Sequence, residues 1–234
     1  VKVNFIPSSK DVEYSIPHPK PSKNFIPDWF KDMPPTVSKT DNSGSVGTAK
    51  MCMPFLDTLV SGYTQQLICD LEIKYVGNEN GKDVLHYNWA GPIRPVSTRF
   101  EESNSPKIFP NFEGYYDAEF HWITQWEPKT PEGYSTFYYH PANRFDLPFQ
   151  TFNGIIDTDK WSISGPVPFL IKKGFEGIIP AGTPIYQMIF IKRNNWESEA
   201  SSYDEKFQKS HLYNIKNLFK DGYKKKYWSK KNYY

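Results

Sequence analysis

Thr130-Pro131-Glu132-Gly133-Tyr134-Ser135 opens a run of alternating turns and strands that continues to Arg193 and decides the fold. The Pro-Glu-Gly turn leads into an aromatic strand that ends at His140-Pro141-Ala142-Asn143-Arg144. Asn153-Gly154-Ile155-Ile156-Asp157-Thr158-Asp159 comes next, followed by a proline-spaced strand over Val167 to Ile171. Gly177-Ile178-Ile179-Pro180-Ala181-Gly182-Thr183-Pro184-Ile185-Tyr186-Gln187-Met188-Ile189-Phe190 closes the stretch. Tyr, Phe, Trp, Ile, Val and Thr prefer strands, and Pro, Gly, Asn and Asp set the turns between them.

The whole chain has the same character. Its 234 residues fit one domain with additions, 17 % are aromatic and 20 are proline. A net charge of +2 is too small for the whole domain to bind nucleic acid. Two cysteines, Cys52 and Cys69, are too few for a disulfide framework or a zinc cluster, which suits a reducing compartment. Cys52 has apolar neighbours and reads as a core thiol. No apolar run approaches the length of a membrane span, and no secretory signal is visible. A chain beginning at Val1 fits a native protein trimmed of its methionine.

Residues 1–40 carry Pro7, Pro17, Pro19, Pro21, Pro27, Pro34 and Pro35, leaving room only for short helical turns. The candidate turn is Pro27 to Met33. Its Trp29 and Phe30 form an anchor, laid on the chain's own domain or on a neighbour. Thr40 to Gly47 is a polar loop, and Thr48 to Tyr63 reads as a buried turn with a short helix. Strands are predicted near 67–76, 84–89, 116–126, 134–140, 167–171 and 185–192. Gly77 to Lys82 is the turn of a hairpin. Residues 91–114 are a long loop, of the kind that is functional or forms an interface.

In the strand at Tyr116 to Trp126, Asp117, Glu119 and His121 fall on one face. Such a ladder offers two oxygens and one nitrogen to a metal, but the side chains stand about 7 Å apart. A solvated face explains them more simply, and His140 before Pro141 reads as a turn histidine. The one clear helix lies within Trp196 to Lys220, with Ser198, Ser201 or Ser202 as its cap and Tyr203, Phe207, Leu212, Ile215, Leu218 and Phe219 at helical spacing. Residues 220–234 then hold six lysines interleaved with five aromatics. Lys224, Lys225, Lys226, Tyr227 and Trp228 are the candidate contacts there, for a protein groove or for nucleic acid.

The stretch from Thr130 to Arg193 resembles the β-clip of the dUTPase and dCTP-deaminase superfamily. The Cys52-to-Asp57 run, Gly62-Tyr63, the Thr-Pro-Glu-Gly-Tyr-Ser turn and Ile156-Asp-Thr-Asp together resemble a protein family of marine tailed phages. The resemblance implies a mainly β fold: a β-clip core over 48–195, an extended Pro-rich N-terminal arm over 1–47, and a C-terminal helix and tail over 196–234. It also implies Asp157, Asp159 and Gln187 as the residues of a nucleotide-handling enzyme. The chain departs from that enzyme, however. Pro141-Ala142-Asn143-Arg144-Phe145 lacks the Ser and Gly that hold phosphates, Lys160-Trp161 stands where a stacking aromatic is due, and the Gly-rich C-terminal arm is missing. Asp157 is therefore predicted to bind backbone amides in its own turn.

The expected function is a non-catalytic phage structural or assembly protein, a decoration or connector-associated virion component needing no cofactor. Its expected partners are other subunits, as a homo-oligomer with a trimer first, and other virion proteins; nucleic acid is an option for the tail, and no membrane is involved. Host cytoplasm and virion follow as its locations. The alternatives are a dUTPase- or dCTP-deaminase-related enzyme and a small-molecule or sugar-binding module.

Overall fold

A computed structural model describes residues 1–98, 108–161, 165–217 and 222–233. The fold is mainly β and antiparallel throughout its sheets, with strand exceeding helix.

In chain order, the first strands are β1 (Asn4–Pro7), β2 (Lys20–Pro21), β3 (Thr36–Ser38), β4 (Ser45–Gly47) and β5 (Tyr63–Gln66). The hairpin β6 (Leu71–Glu79) and β7 (Lys82–Trp89) follows, then β8 (Val96–Thr98), β9 (Phe120–Trp122) and β10 (Trp126–Lys129). The remaining strands are β11 (Tyr134–Tyr139), β12 (Phe149–Thr151), β13 (Gly154–Ile156), β14 (Val167–Ile171), β15 (Gly177–Ile179) and β16 (Pro184–Lys192). The helices are α1 (Lys10–Ser15), α2 (Asp28–Asp32), α3 (Met53–Val60), α4 (Glu205–Asn217) and α5 (Gly222–Lys226).

Three sheets enclose the core. Their strand orders are β13-β11-β16-β5-β2, β12-β14-β9-β8 and β15-β6-β7. The alternate residues Tyr186 and Met188 of β16 point inward, toward Phe120, Trp122 and Phe169 of the second sheet and Leu71 and Ile73 of the third. Trp122 stacks on Phe169 with ring centroids 3.6 Å apart, and its indole N–H donates to the Thr151 hydroxyl at 3.0 Å. The largest buried ring thus keeps its polar atom satisfied, as a buried Trp requires.

The β6–β7 hairpin turns through Asn80 and Gly81 alone, with φ of 53° and 80°. Two consecutive positive φ values are the mark of a type I′ turn, which matches the twist of the strands it joins. Gly77 lies beside a bulge within β6, so the strand runs past the predicted turn start. The strand predicted over 116–126 is instead split. Ile123 to Gln125 leave the sheet as Ile123 N–H donates to Pro95 O at 3.0 Å and Thr124 Oγ1 to Gly165 O at 2.7 Å. The chain then re-enters as β10, the partner of β1.

The start of the chain is woven into the body, since β1 pairs with β10 and β2 with β5, while β3 and β4 pair with each other as an exposed hairpin. Ser9 caps α1 by accepting the Val12 N–H at 3.2 Å, and Trp126 donates its indole N–H to Ile16 O at 3.0 Å. Gly62 lets the chain enter β5 close against β16: its φ is +68°, and a Cβ there would lie 1.9 Å from Met188 O. Cys52 is exposed, not a core thiol, because it stands at the entry to α3 while Met53 takes the inward position. Among the described residues, no helix is long and apolar enough to cross a membrane.

Candidate functional site

Asp157 and Asp159 leave β13 in a tight turn, in which the amides of Lys160 and Trp161 both donate to Asp157 O. Asp157 Oδ1 accepts the Ser135 hydroxyl at 2.7 Å and faces Arg193 Nη1 at 3.2 Å. Asp159, its side chain only 3 % exposed, accepts the Gly133 N–H at 2.9 Å and pairs with the Arg193 guanidinium. Arg193 also donates to Tyr134 O and to Ser135 Oγ, both at 2.9 Å. The Arg193 hydrogen bond, aided by the Gly133 amide, holds the Asp159 carboxyl down to about 2. Backbone-amide binding therefore falls to Asp159, not to Asp157 as the sequence reading had it. The reason is local: the Pro-Glu-Gly turn presents its amide to the second carboxylate of the motif.

Gln187 is 2 % exposed and fully engaged. Its carbonyl accepts Ala142 N–H at 3.1 Å, and its amide donates to Thr58 O at 3.1 Å and Ser61 O at 2.6 Å. It ties the end of α3 to the turn after β11. Gln187 lies opposite Tyr139 of β11, whereas Asp157 meets Ser135, four residues or about 13 Å away along the strand. The three candidates do not converge. The turn at 141–145 offers no phosphate cradle either: Gln187 takes the Ala142 amide, and Arg144 forks onto Asp146 at 2.9 and 2.7 Å.

His140 accepts Thr151 N–H at Nδ1 and donates from Nε2 to Arg144 O, both at 3.2 Å. Both ring nitrogens are used in the neutral form, and burial pushes its pKa below the usual histidine value.

Asp117, Glu119 and His121 do not form a solvated face. Glu119 and His121 are buried, and His121 Nε2 lies 3.0 Å from Glu119 Oε1, so the two answer each other. The backbone amide of Asp117 instead donates to Asp83 Oδ2 at 2.9 Å. Among the described residues, no group of three His, Cys, Asp or Glu is placed to hold a metal.

The predicted anchor lies on the chain's own surface. Phe30 is buried and stacks on Phe55 of α3 at 5.7 Å, while Trp29 packs edge-on against the same ring at 6.1 Å and stays partly exposed. In the tail, Lys224, Lys225, Lys226 and Tyr227 are exposed. Trp228 donates its indole N–H to both oxygens of Asp57, at 2.9 and 3.1 Å, and Lys231 joins the same carboxylate. The preceding helix lies within the predicted span but begins at Glu205, past the serines predicted to cap it. Asp204, which the sequence reading passed over, caps α4 by accepting the Phe207 N–H at 2.9 Å. Leu218 and Phe219 lie outside the described residues. Trp196, Tyr203, Phe207, Leu212 and Tyr213 are 53 to 90 % exposed. Among the described residues, the only element that α4 meets at any length is α5.

The sequence reading also missed an open groove of about 530 Å³ along the β7 edge of the β6–β7 hairpin, lined by Lys74, His86, Tyr87, Trp89 and Arg94 among others. The one signal for it was the Pro-rich loop after β7, which supplies Arg94.

No protein-family model matches the chain, and no curated protein matches it. Two solved structures of the dUTPase from phage phi11 of S. aureus are similar to it, one described for its species-specific insert and one a mutant described for a structural Mg(II) ion. Each is 12 % identical and covers 48 % of this chain, with 99 % and 98 % of its own length aligned and TM-scores of 0.28 and 0.26. Likeness at that level carries no argument about activity.

Proposed function

We propose that the protein is a non-catalytic assembly subunit that interlocks with further copies of itself through residues 196–217. The observation that carries this reading is the exposure of Trp196, Tyr203, Phe207, Leu212 and Tyr213 on one segment held away from the core. Successive helical residues turn by about 100°, so Leu212 and Tyr213 lie about 140° and 240° around α4 from Phe207. Apolar side chains facing several directions suit a helix enclosed by neighbours better than one resting on a single surface. Contiguous exposed apolar surface marks interaction sites in soluble proteins.

The engagement of Asp157, Asp159 and Gln187 in internal ties weighs against the nucleotide-enzyme alternative. A β-clip core, a trimer and a place in a phage particle, built in the host cytoplasm, extend the proposal. They rest on the sequence motifs at Cys52 to Asp57, at Gly62-Tyr63 and over 130–193. Light scattering on the purified protein tests the subunit reading: an oligomer is expected, and a trimer would support the β-clip assignment. A monomer at every concentration would count against self-assembly.

A further inference from the structure

Charge is unevenly distributed along the chain. Residues 220–234 hold six lysines against one acidic residue, Asp221, a net +5 in a chain that sums to +2, so the remainder stands at −3. A basic segment on an acidic body neutralises it where the two meet, and Lys231 does this on Asp57. Lys224, Lys225, Lys226 and Lys230 do not. All four are exposed and, among the described residues, none has a carboxylate partner. Their charge is left for something outside the chain.

The segment also presents aromatic surface among those charges. Tyr223 and Tyr227 stand one helical turn apart, joined by the bond from Tyr227 N–H to Tyr223 O at 2.9 Å, and are 49 and 56 % exposed. At about 100° per residue, Tyr227 lies about 40° around the helix from Tyr223, with Lys226 about 60° to one side and Lys224 about 100° to the other. An aromatic pair edged by ammonium groups therefore faces outward. Trp228 is engaged elsewhere, its indole N–H on Asp57, and the buried Gly222 seats the start of α5. Fixed at both of its ends, α5 loses little further freedom when a ligand arrives.

An occupant must carry repeated negative charge and, beside it, flat rings that are free to stack. We infer that the outward face of α5 binds single-stranded nucleic acid, with bases stacked on Tyr223 and Tyr227 and backbone phosphates on Lys224, Lys225, Lys226 and Lys230. A duplex offers the phosphates but keeps the faces of its bases inside the stack. An acidic peptide offers carboxylates without stacking rings. An anionic lipid surface favours a helix with an apolar face, which α5 lacks, and the one Trp suited to a membrane interface is held by Asp57.

Fluorescence anisotropy of the full chain with a labelled oligo-dT strand tests this, with the same strand annealed to its complement for comparison and polyglutamate and phosphatidylserine vesicles as competitors. The strand should bind in low salt, about tenfold more tightly than the duplex. Its affinity should fall roughly 50-fold between about 50 and 200 mM salt, since four neutralised phosphates give a log–log slope of about −3. The pair Tyr223→Ala, Tyr227→Ala should weaken strand binding about tenfold or more and leave duplex binding unchanged. The triple variant Lys224→Ser, Lys225→Ser, Lys226→Ser should reduce the salt slope to about −1. All five side chains are exposed, so both variants should melt with the parent. The inference is overturned if the strand does not bind at micromolar protein in low salt, or if the tyrosine variant binds it as tightly as the parent. It is equally overturned if the duplex, polyglutamate or the vesicles displace the strand better than unlabelled oligo-dT does.

Discussion

Trp228 donates its indole N–H to both carboxylate oxygens of Asp57, a residue 171 positions earlier in the chain. That bond fastens the end of the tail to α3, and Lys231 reinforces it from above the Trp228 ring at 5.8 Å. Residues 196–217 are therefore a span held at both ends, by β16 on one side and by Asp57 on the other.

Breaking the second attachment should free the tail without unfolding the sheets. Asp57→Ala removes the acceptor shared by Trp228 and Lys231. Trypsin should then cut at Lys224 to Lys226 several-fold faster, with the melting temperature little changed, because terminal segments contribute little to core stability. Unaltered cleavage would show that the Asp57 contacts do not restrain the tail.

The Arg193 cluster should leave a signature in acid. Asp159 holds its proton at about 2 in the folded chain against a usual 3.8, so the unfolded chain takes up the proton first as pH falls. Its contribution to stability is complete above about pH 4 and is lost as pH falls toward 2. Arg193→Ala should flatten that part of the stability profile, measured by urea denaturation. Asp83 and Asp146 are also held below the usual carboxylate range, so some acid sensitivity should remain.

His140 should be neutral down to mildly acidic pH, with its proton on Nε2. Its folded pKa is depressed, so the unfolded state protonates first, and this residue's contribution, complete above about 6.5, is lost as pH falls below that value toward the folded pKa. Nitrogen-15 NMR of the ring checks both points: a protonated Nε2 with a bare Nδ1 is expected, and titration at or above 6.5 would contradict it.

Asp157→Asn keeps the shape of the side chain but removes the charge facing Arg193. It should cost about 1 kcal/mol in a denaturant titration, the typical worth of one such bond. Neither the parent nor the variant should hydrolyse dUTP or dCTP. Hydrolysis by the parent that vanishes in the variant would establish the enzyme alternative.

Much of the β framework was legible because it depends on local chemistry. Asn80-Gly81 dictates its hairpin, and the aromatic and branched residues of β11, β14 and β16 form strands near their predicted bounds. What escaped depends on partners distant in sequence. The split between β9 and β10 is made by Pro95 and Gly165, and Phe30 is buried by Phe55. The candidate site failed to converge for the same reason. Gln187 carries the expected side chain, but its three hydrogen bonds go to Ala142, Thr58 and Ser61, and no local pattern announces them.

The most direct test of the assembly claim is light scattering on the parent and on a Phe207→Glu, Leu212→Glu double variant. Both side chains are more than half exposed, so the substitutions should leave the circular dichroism spectrum and melting temperature of the β body intact. The parent should show an oligomeric mass at tens of micromolar, and the variant should fall to the monomer, since charge placed in an apolar interface is strongly unfavourable. A parent that stays monomeric, or a variant that assembles as the parent does, would contradict the account.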